Sequence, residues 1–295
     1  MSHPGGGPAR GRRAPAANAD RFLAVFLEEV APSYDEWQGG LHQRLAERLV
    51  GFAAVRLGER CLDLGAGTGL VADLLSQQVG DAGSVVSTDV TERMLDVARQ
   101  RLRATGTSAN TTFAAMPIDD VVFRDDTFDL VTLGRSLGYL ASPHSVLKEA
   151  RRILKPDGRV AFFCRRRSLT TPAERIFFAA LERLAADHPI RLPDSSPELS
   201  DLGERGALAS LLTVVGLEPI RYSEMVTGGH AEDAASWNEV MVQTWPAARF
   251  LLGGLGAGPR AAFERELEVE MAALAEDAYR YHHPYLFAVA AKSAH

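Results

Sequence analysis

The chain has 295 residues, 46% of them hydrophobic and 24% charged, the balance of a globular protein with a substantial core. Its net charge of −6 argues against DNA or RNA as partner, because nucleic-acid binders present a basic face; Arg165-Arg166-Arg167 is only a local patch. No apolar run reaches the ~20 residues of a membrane span. Met1 to Asn18 lack the apolar middle of a signal peptide, so a disordered tail over 1–19 and a cytoplasmic protein are expected. Cys61 and Cys164 lie in apolar, strand-like contexts and read as buried reduced thiols.

From there strands and helices alternate. Asp20 can cap a helix with Phe22, Leu23, Val25, Phe26 and Val30 on one broad face, broken at Pro32-Ser33. Tyr34-Asp35-Glu36-Trp37 and Gly39-Gly40 follow, then a helix with Leu41, Leu45, Leu49, Val50 and Phe52 inside, so 20–57 reads as an N-terminal helical unit. Cys61 to Leu64 is a buried strand that ends in Gly65-Ala66-Gly67-Thr68-Gly69 and opens into a helix carrying Leu70, Val71, Leu74 and Leu75. Alternating glycines let the backbone turn sharply and approach a ligand, and the amides at the helix start face a negative group. The strand Ser84 to Thr88 ends at Asp89, about 20 residues past Gly69, the distance at which an acid meets a ribose. Thr91 reads as the N-cap of a helix with Met94, Leu95, Ala98 and Leu102 on its inner face. Further strands are expected at Thr111 to Ala115, Leu130 to Leu133 and Val160 to Cys164. Gly134 to Leu140 reads as a loop, and Lys155-Pro156-Asp157-Gly158 as the turn that ends the helix of Val146, Leu147, Ala150 and Ile153. Such alternation implies a doubly wound, parallel α/β sheet.

The dinucleotide fingerprint G-x-G-x-x-G fails at Leu70. Asp63 through Gly69 instead resembles the D-x-G-x-G-x-G motif of class I S-adenosylmethionine (SAM)-dependent methyltransferases. Ala31 to Asp35 resembles the pre-core segment of the ubiquinone/menaquinone-biosynthesis type, Ile118 to Asp129 the loop into its fourth strand, and Leu154 to Gly158 its L-K-P-D-G turn. The resemblance covers 31–164. It implies SAM as cofactor, left as S-adenosylhomocysteine, and a Rossmann-like seven-stranded sheet with the last strand antiparallel. It also implies roles. Tyr34 closes over the amino-acid end of SAM, and Asp63, Gly65, Ala66 and Gly67 form the binding turn. Asp89 takes the ribose hydroxyls, while Val90 and Met94 pack on adenine. Pro117 stands where the family carries an acid for the adenine amino group, which leaves Asp119 or the backbone of Ile118. Gly134 and Arg135 belong to the loop between cofactor and substrate. Plainer readings stay open: Tyr34 and Trp37 as packing residues, Asp89 as a helix-capping acid.

Beyond 165 the pattern is architectural: helices near 172–186 and 206–215, a strand at 220–226, helical runs over 232–252 and 259–279, and a strand at 285–291. The core is thus read as 58–295, with helical insertions at about 166–215 and 231–280 that roof the site. The antiparallel last strand would bring His230 and Tyr281-His282-His283 to the ligand edge. The expected activity is methyl transfer to a small, hydrophobic or polyketide-like acceptor, with O-methylation favoured. An alcohol or phenol often needs a general base, so His230 is the candidate catalytic residue, with His282 or His283 behind it. Tyr139, where many relatives carry a histidine, could hydrogen-bond the substrate. No H-x-x-x-H pattern supports a metal. Three alternatives stand beside this reading: a non-methylating cyclase on the same fold, a nicotinamide oxidoreductase (against which Leu70 counts), and a scaffold subunit. A monomer or homodimer is expected.

Overall fold

The computed structural model describes residues 27–134, 136–137, 142–166, 171–186 and 202–293. Seven strands form one sheet in the order β3-β2-β1-β4-β5-β7-β6. They are β1 Arg60–Leu64, β2 Ser84–Asp89, β3 Thr111–Ala115, β4 Phe128–Leu133, β5 Leu154–Arg165, β6 Leu217–His230 and β7 Arg280–Lys292. β1 lies between β2 and β4, parallel to both, and its Cys61, Leu62 and Leu64 are fully buried, as a strand covered on both faces requires. β7 runs antiparallel to β5 and β6, so β6 again points the same way as β1. The expected fold, a Rossmann-like sheet with an antiparallel last strand, is the observed one.

Helices α1 Leu41–Ala53 and α2 Leu70–Val79 share a core with Cys61, Leu130, Phe163, Tyr285 and Phe287 on one face of the sheet. α3 Glu92–Thr105 follows β2 and buries Met94, Leu95, Ala98 and Leu102. α4 Pro143–Ile153 covers the other face with Val146, Leu147 and Ile153, together with Leu208 and Leu212 of a later helix. The remaining helices are α5 Pro172–Ala186, α6 Arg205–Val214, α7 Ala234–Thr244, α8 Pro246–Gly253 and α9 Ala257–Met271. Of these, α5, α7, α8 and α9 build a separate apolar cluster around Phe177, Trp237, Leu251, Phe263 and Leu267. α7 also touches the 3-10 segment Ala31–Gly39 that precedes α1.

The break expected at Pro32-Ser33 is present, as α-helix gives way to the 3-10 segment at Ala31. Three boundaries differ from expectation, each for a physical reason. Lys155-Pro156-Asp157-Gly158 is not a free turn, because β5 already pairs at Phe128↔Leu154 and resumes at Leu130↔Arg159 after a bulge. Asp157 takes the left-handed φ of 63° in that bulge. The helical run over 232–252 is two helices, since Pro246 lacks an N–H and holds Trp245 extended. The run over 259–279 ends as a helix at Met271, and a 3-10 turn at Glu276–Tyr279 leads into β7. β6 and β7 are longer than the apolar runs predict. They pair out to His230↔Arg280, five positions past the last β5 pair, Arg165↔Tyr285.

Candidate functional site

The turn after β1 is held from behind. The amides of Gly65 and Ala66 both donate to the Thr88 carbonyl at 2.8 Å, which fixes the loop to the end of β2. Gly65, Gly67 and Gly69 all have positive φ, but for different reasons. A Cβ on Gly65 would lie 2.9 Å from Ser136 Cβ, and one on Gly69 2.7 Å from Ala98 Cβ. Those two are demanded by packing. Around a Cβ on Gly67 nothing lies within 4 Å, so this glycine faces open space.

That space is a cleft of about 500 Å³ lined by Tyr34, His42, Asp63, the glycine turn, Gly134 and Phe163. Carboxylates stand at both ends of the turn. Asp89 closes β2 and accepts from the Gly67 amide at 2.9 Å on one oxygen, and from the Thr91 amide and hydroxyl at 3.0 Å on the other. It therefore sets the shape of the loop, a part the sequence reading did not assign, and holds Thr91, the N-cap of α3. Asp63 is fully buried, and one of its oxygens accepts from the Thr132 hydroxyl at 2.8 Å. The other makes no hydrogen bond of full geometry among the described residues, and the Ala72 amide bears only weakly on the carboxylate. Burial pushes its carboxyl up to about 7; the nearby Asp89 charge adds to this and the Thr132 hydrogen bond opposes it. A buried acceptor without a full hydrogen bond, lining a cleft, fits a ligand ammonium. The open face of Gly67 fits the close approach of the rest of the ligand.

Residues 62–162 match the methyltransferase domain family. The ubiquinone/menaquinone biosynthesis C-methyltransferase of Cupriavidus metallidurans is 32% identical over 71% of this chain and 89% of its own length. This chain is a class I SAM-dependent methyltransferase. For relatives of the same name in Vibrio parahaemolyticus and Pseudomonas fluorescens the match spans 62% and 60% of their length. Among solved structures, the [4+2]-cyclase SpnF superposes on the methyltransferase with a TM-score of 0.58 at 18% identity, covering 92% of this chain and 96% of that one. A phosphoethanolamine N-methyltransferase 2 of Haemonchus contortus, solved with S-adenosylhomocysteine, gives 0.54 at 16% identity over 94% and 60% of the two chains. Both are likenesses of fold.

In this methyltransferase the structure gathers most, not all, of the expected cofactor residues. Tyr34, Asp63, Gly65, Ala66, Gly67 and Gly134 line the cleft. Asp89 stands behind the glycine turn, and Ile118 packs beside Gly65, whose Cβ would come within 3.3 Å of it. Val90 and Asp119 are exposed. Met94 is buried with Val30 and Ala31 under the N-terminal segment and does not line the cleft. Arg135 and Tyr139 lie outside the described residues. His230 is not brought to the cleft either: it is exposed on edge strand β6, with Nε2 2.9 Å from the Glu276 carbonyl. His283 is buried on β7, where its Nδ1 accepts from Arg165, and Arg165 in turn stacks on Trp245 at 4.2 Å.

The reading of the sequence missed His42, Thr68 and Phe163, which line the same cleft. His42 stacks on Tyr34 with ring centroids 4.4 Å apart and has Nδ1 3.1 Å from the Tyr34 carbonyl. Its signal was present, since His42 shares the inner face of α1 with Leu45 and Leu49. The two cysteines are buried free thiols, pushed up to about 12, Cys164 by burial and Cys61 by burial and the nearby Glu59. Among the described residues no group of His, Cys, Asp and Glu is placed to hold a metal, and no helix is long and apolar enough to cross a membrane.

Proposed function

We propose that this methyltransferase acts on a small-molecule acceptor that approaches over the carboxyl ends of β4 and β5, beside Gly134 and Phe163. One observation carries the reading of the cofactor end: the unmatched Asp63 oxygen and Asp89 flank the glycine turn, as a ligand with an ammonium at one end and a ribose at the other requires. Asp63 receives the ammonium, Asp89 the ribose hydroxyls, and Tyr34 closes the outer side. Val90 and Ile118 flank the adenine, with Asp119 or the Ile118 backbone meeting its edge. Gly134 and Arg135 border the methyl. Bound SAM supplies an electrophilic methyl: the acceptor's electron pair forms the new bond as the carbon–sulfur bond breaks and S-adenosylhomocysteine is left. Phe163 gives the transfer an apolar wall that keeps water from competing.

Two buried donors stand outside the cleft lining. The Tyr285 hydroxyl and the Trp245 indole N–H are buried without an acceptor among the described residues, and the Tyr285 ring stands edge-on to Phe163 at 5.8 Å. An oxygen-bearing aromatic or polyketide-like acceptor, with Tyr139 as its hydrogen-bonding residue, is carried forward from the sequence. O-methylation is expected from the sequence with His230 as base, but His230 lies off the cleft on the Glu276 carbonyl, which favours an acceptor whose nucleophile is already acidic, a phenol or an activated carbon. The C-methyltransferase names of the relatives point to the second of these. A cytoplasmic monomer or homodimer without a nucleic-acid partner fits the acidic composition.

Incubation with isotopically labelled SAM and a panel of hydroxylated naphthalenes and quinols, read by product mass, tests this; one added methyl is expected. Asp89→Ala should weaken SAM binding about 100-fold in calorimetry, because it removes both the ribose acceptor and the support of Gly67. Wild-type affinity in that variant overturns the assignment. A product isomeric with its substrate would instead favour a cyclase, the activity carried by the SpnF neighbour.

A further inference from the structure

The 3-10 segment Ala31–Gly39 brings Tyr34 onto the cleft; Ala31 packs with Val30 and Met94, and Tyr34 stacks on His42. A polar attachment ties the segment to the glycine turn as well. Asp35 accepts from the Thr68 hydroxyl at 2.7 Å on one oxygen and from the Arg101 guanidinium on the other. Arg101 also donates from Nε to the Thr68 carbonyl at 3.0 Å. Three elements, the cover, the glycine turn and α3, thus meet in one closed ring of hydrogen bonds. Thr68 is 2% exposed and sits between Gly67, whose amide rests on Asp89, and Gly69. Asp35 is the immediate neighbour of the cleft-lining Tyr34.

We propose that Asp35 and Arg101 are positioning residues for the cofactor: they latch the Tyr34 cover onto the turn that binds SAM and so set how long SAM is retained. The inference rests on the SAM-binding reading of the cleft. Neither residue lines the cleft, so their effect passes through Tyr34 and Thr68. The Asp35 and Arg101 side chains are 25% and 26% exposed. A pair of that exposure is screened by salt yet strengthened by the shared hydrogen bonds to Thr68, whereas a fully exposed pair contributes almost nothing. Release of the cofactor past Tyr34 requires the segment to lift and the ring to open. The latch therefore acts on dissociation, and added salt loosens it.

The test uses the full chain and SAM itself, with affinity from calorimetry and dissociation from stopped-flow displacement. Asp35→Asn and Arg101→Gln should each raise the SAM Kd about tenfold through faster release, with the association rate nearly unchanged. The double variant should be no weaker than either single one, because each substitution opens the same ring. Wild-type release should accelerate between low and high salt, and in Asp35→Asn it should not. Asp96→Asn on the same helix, which removes an exposed partner of Arg99, should leave retention unchanged. The apo melting temperature separates a latch from a fold support, since only the latter lowers it in step with affinity. Unaltered release in Asp35→Asn overturns the proposal, as do additive losses in the double variant or a parallel fall in apo stability. If the wild type itself fails to bind SAM, the cofactor reading fails first and the latch with it.

Discussion

The two halves of the sheet differ in where their unmatched polar groups lie. Around β1, β2 and β4 the Gly65, Ala66 and Gly67 amides are matched to the Thr88 carbonyl and to Asp89, the Ser87 hydroxyl is left unmatched inside the sheet, and the second oxygen of Asp63 is left unmatched in a residue that lines the cleft. Around β5 to β7 and the helical cluster, the unmatched groups lie off the cleft lining and include the Trp237 and Trp245 indole N–H and the Tyr285 hydroxyl, none with an acceptor among the described residues. An unmatched acceptor in a residue that lines a cleft fits a cation. Orphaned donors inside an apolar cluster cost stability, and in the second half the fold carries that cost.

The comparison breaks most sharply at the glycines. Gly69→Ala, with φ at 80° and its Cβ driven to 2.7 Å from Ala98, should cost about 2–4 kcal/mol in urea unfolding and abolish SAM binding. Gly67→Ala, with φ at 55° but no neighbour within 4 Å, should cost only about 1 kcal/mol and yet weaken SAM binding strongly. Equal destabilisation by the two would mean that Gly67 is also a packing glycine.

Next in size is the pH response of Asp63. Its folded-state carboxyl is raised to about 7, so the fold prefers it protonated. That contribution is fully present below the unfolded value of about 4 and is lost as pH rises through the folded one. Thermal melts of the protein without SAM should therefore decline from pH 4 towards 7, and Asp63→Asn should flatten the decline. On the proposed pairing of ionised Asp63 with the ammonium, binding runs the other way: SAM affinity should rise through pH 7 in the wild type and not in Asp63→Asn. At pH 8 that variant should bind about 30-fold more weakly. The smallest effect is at Tyr285. Tyr285→Phe should stabilise the protein by about 1 kcal/mol in urea unfolding, since it removes a buried hydroxyl without a partner. A loss of stability would show that the hydroxyl is bonded after all.

The cofactor half was legible because its determinants are local. Strand, glycine turn, helix and Asp89 sit at chain separations that the fold converts directly into contact, and the structure places them together. Where local reasoning failed, a partner distant in sequence decided. Lys155 to Gly158 has the composition of a turn but bulges out within β5, between the pairs that Leu154 and Arg159 make with β4. His230 and His282 look like a catalytic edge by topology, yet β6 and β7 pair with each other beyond β5 and carry His230 out to the Glu276 carbonyl. Arg101 reads as a solvated helix residue until Asp35, 66 positions away, closes on it.

The sequence by itself determined the order of strands and helices, the glycine turn after β1 and the acid at the end of β2, because period, glycine spacing and capping act over a few residues. Only the tertiary structure decided which carboxylate is held near neutrality, which glycine faces the ligand and what fastens the Tyr34 cover. Desolvation, steric approach and a three-element ring of hydrogen bonds depend on what lies opposite in space, and chain separation does not encode that.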